Sequence, residues 1–507
     1  MWFSMRQPPK GGFLGRSIVV NAEIKVVLFC GLQGFDYLCN GIRTKYHKST
    51  LTPSTFGSEV NEVKEVKQMR NLNKITYKVT APSTLQATIT LPASKSISNR
   101  ALIISALAGS DELPHNLSCC DDTEVMVKAL ASTAERLGPT PPTINIGAAG
   151  TAMRFLTAYY AVTPSDVVLT GTERMKQRPI GILVDALRYL GADIEYVENE
   201  GFPPLHIRGK KLDGGHIDVD AHVSSQFISA LLMIGPALKN GLELRMTGTI
   251  SSRPYIDLTL NVMHSYGAQA EWSDVDTVNV SPKAYEPQPY VVESDWSSAS
   301  YWYEVLALCD DYDSSITLTG LKDSSRQGDS VVRYIFSALG VKTKFRKDGT
   351  VKLTRHLRTL PRMDYDFKNS PDLAQTLVAT CGALALPFHF KGLASLRIKE
   401  TDRIEALRKE MLKRGVVVAL GKDEMSCDAF TREQTGGVAI DTYDDHRMAL
   451  AFAPLAMRYG SIYINNPEVV SKSYPNFWDD LRAAGFEVTV QQTSRRVNCK
   501  TVNSPTE

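Results

Sequence analysis

Two stretches of this chain put a carboxylate at a predicted helix start, one of them among cations, an arrangement suited to acid–base chemistry on an anionic substrate. In RIKETDR (397–403), Lys399, Glu400 and Arg403 stand together at a predicted helix start. In NSPDLAQ (369–375), Asp372 sits in the first turn of another predicted helix. A carboxylate between cations stays ionised, so it serves as a base, or as an acid once a substrate complex or a relay supplies its proton. Asp372 and Glu400 therefore form a candidate base and acid pair.

Cations and donors recur at other helix starts. LPASKSISNR (91–100) puts Lys95 and Arg100 around one, with the hydroxyls of Ser96 and Ser98 beside them. Two cations and the unpaired N–H groups of a first turn make an oxyanion clamp. GAAGTAMR (147–154) offers glycines, Gly150 among them, that let a ligand approach the backbone, followed by Arg154. It nearly matches a dinucleotide fingerprint, but Asn145 fills the first glycine position. RMKQRP (174–179) adds Arg174, Lys176 and Arg178. Ser224, Ser225 and Gln226 in VSSQF, with Ser252 in SSRPY, are donors suited to a phosphate or a polyol. DDHRM (444–448) and SKSYP (471–475) contribute Arg447 and Lys472. The sequence has no Walker A, zinc-ligand or Ser-His-Asp pattern.

The elements that position these residues repeat. Nearly all-apolar stretches open at Ser96, Gly150, Ser224, Ser297, Ser370 and Asp444, which are 54, 74, 73, 73 and 74 residues apart. A fixed period marks one supersecondary unit repeated. Each stretch reads as a helix apolar all round, hence buried. Glycine cap signals recur at Leu137-Gly138, Leu190-Gly191, Tyr266-Gly267, Leu339-Gly340, Arg414-Gly415 and Ala484-Gly485. Strand-like segments follow five of them, and Thr-Gly or Lys-Gly ends others at 169–171, 246–248, 318–320 and 390–392. The unit is strand–helix–strand–helix–strand–strand. One copy has too little core to stand alone, so the copies pack their apolar helices together, helices inside and sheets outside. The class is α/β, not a doubly wound nucleotide-binding fold.

Composition narrows the function. With 43% apolar and 22% charged residues and a net charge of +2, the chain carries no basic excess for nucleic acid or membrane. No apolar run approaches the ~20 residues that span a bilayer. Eight scattered cysteines form no CxxC pair and fit reduced thiols in the cytoplasm. Residues 1–69, with seven Lys/Arg against two acids in the first fifty, are expected to be an extension or linker outside the fold, with Met69 as an alternative first residue; the same basic bias permits an organelle transit peptide. Residues 493–507 read as a polar tail.

Taken in order from about residue 75 to 490, these motifs resemble the 5-enolpyruvylshikimate-3-phosphate (EPSP) synthase family, the 3-phosphoshikimate 1-carboxyvinyltransferases of aromatic amino-acid synthesis and the target of glyphosate. The resemblance implies the two-domain, inside-out enolpyruvyl transferase fold, with six βαβαββ repeats, three per domain. It implies one domain from 70–93 plus 294–492, a second from 94–293, and a site in the cleft between them. Carried over, Lys95, Ser96, Arg100, Ser224, Ser225, Gln226, Ser252, Asp372 and Lys399 contact shikimate 3-phosphate. Lys95, Gly150, Arg178, Gln226, Arg403, Arg447 and Lys472 contact phosphoenolpyruvate, and Asp372, Glu400 and Lys95 are catalytic. A monomer with no metal or organic cofactor is implied.

The chain departs from the family's usual GNAGTAMRP at Ala148 and Phe155, and has Ser395 where Asn is frequent. A related transferase acting on a UDP-linked amino sugar usually carries a reactive cysteine in the loop matching 170–179, where this chain has none. A non-catalytic scaffold would have no need of the carboxylate pair.

Overall fold

The computed structural model describes residues 75–132, 140–221, 224–431 and 438–491. The extension, the Leu137-Gly138 signal and the tail lie outside them. Six apolar helices form the interior: α1 (Lys95–Leu107), α2 (Gly150–Val162), α3 (Ser225–Ile234), α4 (Trp296–Ala307), α5 (Ala374–Ala383) and α6 (His446–Phe452). Every residue of α5 and α6 is buried, as is every residue of α4 except Ser297. Five of the helices start within two residues of the expected points. The fifth in order is delayed to Ala374 because Pro371–Leu373 first makes a 3-10 turn.

The helices pack into two separate cores. α1, α2 and α3 belong to one that runs from Ala93 to Val292. α4, α5 and α6 belong to the other, which takes Val79–Leu91 and then Trp296–Phe486. Five four-stranded sheets are described. In each complete unit the strand after the first helix lies parallel to the opening strand and antiparallel to the last. Asp166–Thr170, for example, pairs parallel with Thr143–Asn145 and antiparallel with Leu205–Arg208, which pairs in turn with Asp193–Tyr196. The expected cap glycines 191, 267, 340, 415 and 485 all take positive φ.

The first two strands, β1 (Thr76–Thr80) and β2 (Gln86–Thr90), complete distant sheets. β1 sits between Ser461–Asn465 and Glu487–Gln491, antiparallel to both. β2 runs parallel to Ser315–Thr319. The unit that opens at α1 departs from the repeat. Its described residues hold α1 and the helix Asp121–Ser132 but only isolated bridges, because its 54-residue spacing leaves no length for the strands of the 73- and 74-residue units.

The chain crosses between cores twice, and the two crossings pair with each other. Ala93 and Ser294 form an antiparallel bridge, Ser94 N donates to Glu293 O at 2.8 Å, and Asp295 N donates to Pro92 O at 2.9 Å. Gly320 buttresses this joint with φ +81°, accepting from Ser294 N at 3.1 Å. A Cβ there would lie 2.1 Å from Ser294 Oγ, so only glycine fits.

Candidate active site

Two small chambers, each of ≈ 70 Å³, are lined from both cores. Ser96, Arg100, Ser224, Ser225, Gln226 and Ser252 line the first from one side, and Ser395 and Lys399 from the other. Lys95, Gly150, Arg178 and Gln226 line the second, opposite Asp372, Lys399, Glu400, Arg403 and Arg447. Lys472 lines neither, but its Nζ lies 3.1 Å from Glu400 Oε1. The sequence-named residues thus gather in one place.

Helix starts account for much of the placement. α1 and α2 begin without a side-chain cap, leaving first-turn N–H groups to a ligand. α3 is capped by Ser224, which accepts from Gln226 N at 3.3 Å, and Gln226 Nε2 then donates to Thr151 Oγ1 at 3.2 Å. Gly150 permits a close approach: a Cβ there would sit 2.7 Å from Arg178 Nη1.

Arg403 is the hub of the charge network. Its Nε donates to Asp445 Oδ2 at 2.7 Å, Nη2 to Glu400 Oε2 at 2.9 Å and Nη1 to Asp372 Oδ1 at 3.4 Å. Arg447 Nη2 lies 2.8 Å from Asp372 Oδ2. Burial alone would raise the pKa of both carboxyls. Lys472, Arg403 and Arg178 overcome it at Glu400, and Arg447, Lys399 and Arg403 at Asp372, so both stay well below the usual carboxylate range. Burial also opposes charge on Lys95, but Asp122 at 3.2 Å helps hold its pKa above the ordinary lysine value.

Arg100 is 2% exposed and donates to Thr259 Oγ1 at 2.7 Å and Ser229 Oγ at 3.1 Å, beneath the first chamber. Burial lowers its pKa to about 10. Its guanidinium lies 5.3 Å from the ring centroid of Phe155, one of the residues that depart from the family pattern. The 174–179 loop divides its work. Arg178 faces the chambers, Lys176 pairs with Glu198 at 2.7 Å, and Arg174 Nη2 donates to Lys399 O at 3.2 Å. Arg154 is buried and donates to Gly150 O at 3.1 Å and Pro179 O at 3.3 Å, steadying that loop.

Sequence reasoning missed several groups. Tyr255, inside the quoted SSRPY, donates its hydroxyl to Asp372 Oδ2 at 3.2 Å. Asp445, inside DDHRM, anchors Arg403 and caps α6 by accepting from Arg447 N at 3.0 Å. His446 lines the second chamber, and burial with Lys95 and Arg447 nearby keeps its imidazole neutral. Asp329 accepts from Ser297 Oγ, and burial together with Asp372 pushes its carboxyl up to about 7. Helix capping was a readable signal for Asp445. Nothing in spacing links Asp122 to Lys95.

The family model of EPSP synthase (3-phosphoshikimate 1-carboxyvinyltransferase) matches residues 79–481. The 3-phosphoshikimate 1-carboxyvinyltransferase of Bacteroides fragilis (strain ATCC 25285) is 56% identical over 415 residues, covering 82% of this chain and 99% of that protein. The protein of the same name from Photobacterium damsela subsp. piscicida is 38% identical, covering 78% and 95%. In fold, the chain is similar to EPSP synthase from Acinetobacter baumannii, with a TM-score of 0.66 at 20% identity over 82% of this chain and 100% of that one. It is also similar to the enolpyruvyl transferase NikO from Streptomyces tendae, with a TM-score of 0.63 at 13% identity over 83% and 99%. The match in sequence along nearly the whole length of such relatives leaves one assignment: this chain belongs to the EPSP synthase (3-phosphoshikimate 1-carboxyvinyltransferase) family.

Proposed function

We propose that this enzyme transfers the enolpyruvyl group of phosphoenolpyruvate to the 5-hydroxyl of shikimate 3-phosphate, with Asp372 as base and Glu400 as acid. One observation carries the reading. A single buried guanidinium, Arg403, holds both carboxylates beside a chamber whose cations come from both cores. Each substrate carries a phosphate and a carboxylate, and such a cationic ring matches four anionic groups.

Asp372 accepts the proton of the 5-hydroxyl as that oxygen bonds to C2 of phosphoenolpyruvate. Glu400, with Lys95, delivers a proton to the methylene carbon. The tetrahedral adduct then breaks its C2–O bond to phosphate, which leaves with the proton held by Asp372, while Glu400 takes back a methyl proton and the double bond re-forms. Arriving anions compete with Asp372 and Glu400 for Arg403 and Arg447. A carboxylate relieved of such partners takes up a proton more readily, which suits Glu400 to act as an acid. The cations stabilise charge in the adduct.

We read the two cores as domains, 70–93 with 294–492 and 94–293, hinged at the paired crossings. We place the reaction in the cytoplasm and in a monomer, since one chain supplies both walls of the chambers. Among the described residues no helix is long and apolar enough to cross a membrane. The test is phosphate release with both substrates, comparing the intact chain with Glu400→Gln. Release that requires both substrates and falls ~10²- to 10⁴-fold in the variant supports the reading. No release from folded protein overturns it and turns attention to a UDP-linked amino sugar as acceptor.

A further inference from the structure

A third cavity, of ≈ 800 Å³, lies behind the second chamber. Arg178 and Glu400 form the wall the two share, and Lys472 faces the larger space. Tyr301, His446 and Arg447, which also line the second chamber, are all buried. The first chamber holds the donors assigned to shikimate 3-phosphate, so that ligand blocks the approach from there. With the two cores together, the shared wall borders both the second chamber and the larger space. Its Arg178 is 7% exposed, and its Nε is buried without a hydrogen-bond partner among the described residues.

The outer lining includes Arg174, to which the reaction assigns no role. Arg174 is exposed, and its guanidinium donates to a backbone carbonyl, so its charge is not spent on that contact. The acids of the lining are largely engaged. Lys472 and Arg403 hold Glu400, and Asp402 accepts from Arg397 at 3.3 Å and from Glu405 N at 3.2 Å. Asp444 faces the same space, against Arg174, Arg178 and Lys472.

We propose that this cavity is the passage by which phosphoenolpyruvate enters and phosphate leaves, and that Arg174 is the cation that recruits the anion at its mouth. The proposal rests on the reaction put forward above. A cation at the mouth of a low-dielectric passage raises the local anion concentration, and salt screens it.

The experiment uses the full chain with Arg174→Lys, Arg174→Gln and Arg174→Glu. Rates are measured against each substrate at ~0.02 M and ~0.5 M salt. The expected result is a kcat/KM for phosphoenolpyruvate lowered about 3- to 10-fold by Gln, further by Glu and little by Lys. The loss shrinks at high salt, while kcat and the KM for shikimate 3-phosphate hold. An unchanged phosphoenolpyruvate kcat/KM in Arg174→Glu overturns the proposal. So does an equal, salt-independent loss for both substrates, which would make Arg174 a positioning residue acting on Lys399 through its carbonyl. Calorimetry with inorganic phosphate separates this from the reaction. Phosphate bound by wild type and weakened in Arg174→Glu supports the passage even if the chain turns over neither substrate.

Discussion

Ser471 Oγ donates to Asp121 Oδ2 at 2.6 Å, and each partner is the sequence neighbour of a group that grips the reaction centre. Asp122 holds Lys95, and Lys472 holds Glu400. This one hydrogen bond joins the two cores outside the chambers and registers Lys95 against Glu400. A hydrogen bond to a charged group contributes ~1.5–3 kcal/mol. Ser471→Ala and Asp121→Asn should therefore lower kcat by up to about tenfold and lower thermal stability by no more than that free energy, and Ser471→Thr should restore both. Equal kcat in Ser471→Ala and wild type would deny the contact any role in turnover.

Asp372 serves as the internal counter-ion of Arg447 and Arg403. Asp372→Ala removes the base and frees both guanidinium groups. Turnover should fall ~10²- to 10⁴-fold, while phosphoenolpyruvate binds more tightly because it no longer competes with a carboxylate. Calorimetric titration of the variant in the presence of shikimate 3-phosphate reads the affinity directly. Weaker binding would show that Asp372 holds the arginines in place rather than opposing the ligand.

Gly150→Ala places a methyl group 2.7 Å from Arg178 Nη1 and 2.8 Å from Nη2. The guanidinium is the far end of a flexible side chain, so it moves and the fold survives. The KM for phosphoenolpyruvate should rise about tenfold, corresponding to ~1–3 kcal/mol of overpacking, with shikimate 3-phosphate binding unaffected. Steady-state kinetics against each substrate checks both statements.

Glu304, on α4, has both carboxyl oxygens buried without a hydrogen-bond partner among the described residues. The Thr380 hydroxyl beside it donates to Thr376 O at 2.7 Å. Burial pushes the carboxyl well above its ordinary 4.5. The folded state thus keeps a proton that the unfolded chain releases, and stability falls as pH rises from about 4.5 towards the folded value. Glu304→Gln should flatten that slope and be ~1–3 kcal/mol more stable than wild type at pH 8, converging with it near pH 4. Thermal scans at the two pH values measure the difference. Parallel curves would mean that Glu304 is ionised in the fold.

The buried helices were legible because apolar residues on every face at a fixed period need no partner to be recognised. The delay of α5 to Ala374 was not, since Pro371 suits either a helical first turn or a 3-10 turn. Sheet membership was legible within a unit but not between distant ones. TYKVT at 76–80 has no local partner in the sequence, and its Thr76 Oγ1 meets Asn465 Oδ1 from 389 residues away. In the cleft, residue types announced cations and carboxylates, whereas Tyr255 against Asp372, 117 residues apart, depended on how two cores face each other.

The placement of β1 also dictates an order of manufacture. The core of residues 93–292 is contiguous and can form while the ribosome is still adding the remainder. The other core cannot. Its first described strand waits for Ser461–Asn465 and Glu487–Gln491, the last two strands among the described residues. Asp372 and Glu400 lie in that late-finished half, so the carboxylates of the site take their places only after the cations of the contiguous core have been set.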